Sequence, residues 1–264
     1  MYMASDFIFI RKSRNAVSSV LHVLMNILLG VGSIFVTIVT GSWLVGFILV
    51  LVSKWRMFAV RAHYLFLNLK SNLVDLIVGF SFVLLAYFSG TEVLPVHYLL
   101  AVSYTIWLVL IKPKTSETWN FIQALLAVFL GTCAASILSA SLNPVLLVAL
   151  EFVIGYAAAR HVLAQNNNSF DDGFPALTFG VLFSEITLLC HSWLIVYTFT
   201  SWGIIIPQLA IILSVFAFLT ERIYSSVESR DGTLKFKDVA LPVLFSVAIL
   251  AVIIFGFSEP IFNV

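Results

Sequence analysis

The sequence predicts an all-α fold, one polytopic bundle of about nine transmembrane helices with no separate soluble domain. Three observations predict it. Of the 264 residues, 61% are hydrophobic and 10% charged, against about 25% charged in a soluble domain, and mean hydropathy is +1.07. A water-soluble fold of this size cannot hide so much apolar surface, so lipid is the main solvent. The apolar residues form segments of spanning length, and the basic residues lie between them.

The first apolar region, Ala16 to Ser53, has 38 residues. A span takes about 20, so the region reads as two helices, at 17–36 and 40–54, with a tight turn between and the second short or re-entrant. Gly30, Gly32, Gly41 and Gly46 offer places to turn. The stretch from Trp55 to Asn72 mixes Arg56, Arg61 and Lys70 with aromatic rings, which suits a segment lying at headgroup depth.

Further spans are expected at 72–89, 95–111, 119–141, 144–162, 175–199, 203–220 and 239–257. Pro95, Pro144 and Pro175 open their helices, where a missing N–H costs little. Pro207 and Pro242 fall in the opening turns of the last two.

Charge placement supports this layout. With a cytoplasmic N-terminus and alternating connections, all 14 Lys and Arg fall on inner segments and none on outer ones. That bias is the positive-inside pattern, with the C-terminus outside. The expected location is the cell (inner) membrane of a bacterial-type cell.

Cys133 and Cys190 sit in apolar runs without a CxxC or His/Cys cluster, so they read as small buried hydrophobes. No metal ligand set or cofactor motif is present: there is no HExxH, GxSxG or phosphate-binding glycine loop. No lysine lies inside a span, which argues against a Schiff-base chromophore. Nothing points to nucleic acid.

Two acids stand out, because ionisable groups deep in a span are costly and mark function by default. Glu151 lies in a segment whose positions i+4, i+7 and i+8 are Gly155, Ala158 and Ala159. Small residues allow close helix approach, so Glu151 should point into the bundle. Glu185 lies in the next span, at a depth differing by only about 5 Å. Two carboxylates close together in low dielectric cannot both ionise cheaply. The pair reads either as a proton or cation coupling site, or as carboxyls tying helices together.

On the same pathway reading, His191 and Gln123 are candidate relay groups. His191 also reads as a satisfied interfacial histidine beside Trp193, Tyr197 and Trp202. Asp75 follows Asn72 by three residues, as in a capping box; alternatively it gates an inner entrance with Arg61 or Lys70. Gly131, Ala135 and Ser139 form a small stripe, read as a helix contact rather than a pore lining. Arg56, Arg61, Lys70 and Arg160 are candidates for contact with anionic lipid headgroups, or simply set topology.

The function expected from the two acids is a proton- or cation-coupled transporter for a small solute. The alternative is a structural or assembly subunit of a membrane complex, with a membrane-protein partner or a second copy of the chain. An intramembrane enzyme on a lipid-linked substrate is a third class, for which no nucleophile or metal set is found.

Overall fold

In the computed structural model, residues 3–59, 61–90, 94–139, 143–164, 173–191, 195–199, 204–228 and 236–256 are described. The chain is a membrane-embedded helical protein. Among the described residues, six helices are long and apolar enough to cross a membrane, and a seventh crossing is available from a bent helix pair.

The first long helix, α1 (Met3–Thr40), runs beyond the expected 17–36 at both ends. It stops at Gly41, whose φ of +58° is a conformation that favours glycine. The helix α2 (Trp43–Ser53) has 11 residues, so the segment expected at 40–54 is short. A single turn, α3 (Trp55–Phe58), and α4 (Ala62–Ser71) come next. The axis of α4 is bent 64° from that of α5 (Leu73–Phe88). Trp55, Tyr64 and Phe66 are exposed along this segment.

Beyond α5, α6 (Leu94–Ile106) is continued by a π-helical turn over Trp107–Ile111. The wider turn shifts the register of the helix face and brings Trp107 to the buried side. Then come α7 (Glu117–Ser139), α8 (Pro144–Leu163) and α9 (Gly173–Cys190). At the start of α8 the Asn143 side chain accepts from the Val145 N–H, with proline at the first helical position.

The span expected at 175–199 is corrected here. The helix ends at Cys190, and Val196–Phe199 is a strand, β1. It pairs antiparallel with β2 (Ile204–Pro207), Val196 facing Pro207 and Phe199 facing Ile204. The span expected at 203–220 therefore begins later, as α10 (Gln208–Glu228), with Pro207 closing the strand instead of opening the helix. β-branched residues crowd both strands, which is why a hairpin competes with helix at this point. The last helix, α11 (Phe236–Ala251), holds Pro242 and ends in a π-helical turn, Val252–Gly256.

The helix α7 is the centre of the bundle, packing on α5, α8 and α10. Its buried side is a run of small residues that includes Gly131, Ala135 and Ser139. A Cβ on Gly131 would lie 2.9 Å from Ile77 and 3.1 Å from Ile154, so this stripe is a helix contact. The most extensive helix pairing is that of α8 with α9. Gly155 faces the Phe183 ring, and Gly180 faces Phe152, so each helix offers a gap to the other's aromatic ring. Ser184 Oγ donates across the pair to Val148 O at 3.1 Å.

Candidate functional site

Glu151 sits on α8 on the side turned toward α7. It is fully buried, and the Thr132 hydroxyl donates to its Oε2 at 2.9 Å. Its Oε1 has no hydrogen-bond partner among the described residues. The inward orientation expected from Gly155 and Ala158 is what the structure has, since both are buried with it. Thr132 gives no sign in the sequence, because a threonine inside an apolar span ordinarily bonds its own helix.

Glu185 is placed differently. The side of α9 that packs carries Ala176, Gly180, Phe183 and Thr187. At about 100° per residue, Glu185 lies on the opposite side, and it is exposed. The expectation that Glu151 and Glu185 lie close together as a pair is thus corrected. One acid is sealed between α7 and α8, and the other looks outward from the far side of α9.

The third acid, Asp75, forms a centre that the sequence does not reveal. The Lys54 ammonium contacts its Oδ2, Lys112 Nζ lies 2.6 Å from the same oxygen, and Trp107 Nε1 donates to Oδ1 at 3.3 Å. Lys54 is nearly enclosed, with its side chain 8% exposed, whereas Lys112 is 41% exposed. Asp75 thereby joins the end of α2, the start of α5 and the end of the π-helical turn. The capping-box reading is corrected: Asn72 precedes α5 without a side-chain cap, and its amide donates to Asn68 O at 2.8 Å. The gate partners expected for Asp75 are corrected too, from Arg61 or Lys70 to Lys54 and Lys112. The carboxylate charge is thus compensated within the chain by two ammonium groups.

Gln123 lies beside this centre. Its Nε2 donates to Ile111 O at 2.9 Å and to Lys114 O at 2.8 Å. Its Oε1 meets His161 Nε2 at 2.9 Å. All the polar atoms of the amide are engaged, so Gln123 holds the connection between the π-helical turn and α7. His161, from the last turn of α8, carries no signal of this role in the sequence. Lys114 closes the connection with its ammonium 3.6 Å from the Trp119 ring centroid.

His191 directly follows α9, half-buried, its Nδ1 without a partner among the described residues. Trp193 and Trp202 lie outside the described residues; Tyr197 sits in β1 and donates to Ile253 O at 3.5 Å. Lys70 lies 4.6 Å from the Phe66 ring and 5.8 Å from that of Tyr156, whose hydroxyl accepts from Arg160 at 3.4 Å. Arg61 is exposed at the start of α4, and the Arg56 side chain lies outside the described residues. Cys133 is buried and Cys190 half-buried, both as free thiols.

Three crevices between the helices have volumes of about 140, 130 and 270 Å³. Apolar side chains dominate all three, and neither Glu151 nor Asp75 lines any of them. No protein-family model, curated protein or solved structure matches the chain.

Proposed function

We propose that the protein is a subunit of a laterally assembled membrane complex, with α9 as its docking helix. The observation that carries this reading is Glu185. An acid within a membrane-crossing helix normally faces the bundle interior or a partner. Glu185 faces neither among the described residues of this chain, so the reading supplies its partner from outside. The positive-inside rule adds an orientation: the end holding Lys54, Lys112 and Lys114 faces the cytoplasm, in the cell (inner) membrane, with about nine crossings and the C-terminus outside. The packing of α8 on α9 then serves to hold the docking helix in place.

Extraction in a mild detergent followed by native mass measurement tests this. A particle heavier than one chain, lost when Glu185 becomes leucine, is the expected result. A monomer in native-like nanodiscs at physiological density would end the reading.

A second reading rests on a different observation, the unpartnered Oε1 of Glu151. Here Glu151 alone, in place of a pair, carries a proton or holds a cation for a small-solute carrier, with Thr132 as its hydroxyl neighbour. Flux into proteoliposomes measures it: Glu151→Gln abolishes coupled uptake if the carboxyl carries the ion, and leaves uptake unchanged if the carboxyl is structural.

A further inference from the structure

The outward face of α9 points to a specific occupant. Phe174, Thr178, Val181 and Leu188 are exposed, and they fall on one side of the helix with Glu185 at its centre. The spacing is that of a helix-packing stripe, yet among the described residues no element of the chain covers it. The contact of α9 with α10, through Phe179 stacking on Phe216 at 5.7 Å and Phe183 meeting it edge-on, lies on the packed side and leaves this face uncovered.

We propose that this face binds the same face of a second copy of the chain, around a twofold axis parallel to α9, so that the two Glu185 carboxyls meet. The proposal rests on the assembly reading and names its partner.

Depth and chemistry both favour a second copy. A group in hydrocarbon must find its hydrogen-bond partner at its own depth, because no water is there to serve. A twofold axis along the membrane normal places each residue level with its own copy, and such pairing is isologous, the same patch meeting itself. Two carboxyls that share protons then exchange O–H···O bonds and satisfy each other without any net charge in lipid. The chain offers no better donor of its own. Its basic residues lie near helix ends and connections except Arg222, which sits about 21 Å along α10 from the β1–β2 hairpin, whereas Glu185 is about 8 Å from the hairpin end of α9, so a second copy presents no lysine or arginine level with Glu185. Thr178, two turns away along the same face, is a small residue of the kind that lets helices approach.

The test is a symmetric disulfide scan on the full chain in native membranes, with Cys133 and Cys190 replaced by serine. Cysteines placed at Val181 and at Leu188 should crosslink on oxidation to a product of twice the 29.3 kDa chain mass. A cysteine at the exposed Val145 on α8 should not. Glu185→Gln, whose amide pairs across the axis in the same way, should keep the crosslink. Glu185→Leu should slow it at least tenfold. Because Glu185 is exposed on its own chain, folding of the leucine variant is expected to be intact, and the unchanged melting temperature of its monomer checks this. Crosslinks at Val181 to a product of any other mass would overturn the second copy as partner and leave the assembly reading standing. A doubled mass that survives Glu185→Leu at the wild-type rate would overturn the carboxyl pairing. Monomer alone in every variant would overturn both.

Discussion

Thr132 and Glu151 are joined by one hydrogen bond of 2.9 Å that crosses from the middle of α7 to the middle of α8. It is a polar link at the heart of the bundle. Hydrogen bonds between helices in lipid contribute about 0.6 kcal/mol on average and up to about 1.7. Thr132→Val should therefore destabilise the protein by about 1 kcal/mol. Glu151→Gln should cost less than Glu151→Leu, since the amide oxygen still accepts from Thr132. Unfolding in mixed micelles, run as a double-mutant cycle, gives the coupling directly. A coupling of zero would mean that the two groups do not interact in the folded protein.

The clamp at Asp75 should be far more sensitive. Removing one partner of an enclosed ion pair leaves a stranded charge and costs about 3–5 kcal/mol. Asp75→Asn strands Lys54, which is nearly enclosed, whereas Lys112→Gln removes only a partly solvated partner. The expected order of destabilisation is Asp75→Asn well above Lys112→Gln, read from thermal melts in detergent. Replacing Lys54 with methionine together with Asp75→Leu should recover much of the loss, because an apolar pair strands nothing.

The fit of α8 on α9 leaves little room. A Cβ at Gly155 would stand 2.7 Å from Cγ of Phe183. Gly155→Ala should then cost about 1–3 kcal/mol through overpacking. Adding Phe183→Leu should offset part of it by vacating the contact. Equal melting temperatures for wild type and Gly155→Ala would contradict the packing described.

Gln123 should act locally. Gln123→Leu removes both N–H donors from the Ile111 and Lys114 carbonyls and strands His161. Faster amide exchange and faster proteolysis between residues 112 and 116 are expected, with the rest of the bundle unaffected. His161→Ala should give the weaker form of the same effect.

Much of this is legible in the chain alone. Apolar segments of spanning length, and acids conspicuous inside them, arise from the cost of polar groups in lipid, which acts on every residue without reference to its neighbours. The inward turn of Glu151 is also readable, because Gly155 and Ala158 beside it mark the close-packed side. Other features are not. Lys54 and Lys112 read as ordinary topology charges, and nothing local ties them to Asp75. The hairpin at Val196–Phe199 and Ile204–Pro207 reads as helix, since continuous apolar runs have no period to tell the two apart.

The order of residues is enough to tell the solvent of this protein, the positions of most of its helices and the presence of two acids within them. That Glu151 is sealed against Thr132 while Glu185 looks outward emerges from the packing of the helices. The reason lies in the solvent. In water, the exposed face of a helix must be polar, so periodicity reveals which side is buried. In lipid both faces are apolar, and the side of α9 that becomes interior is set by which glycine leaves room for Phe183.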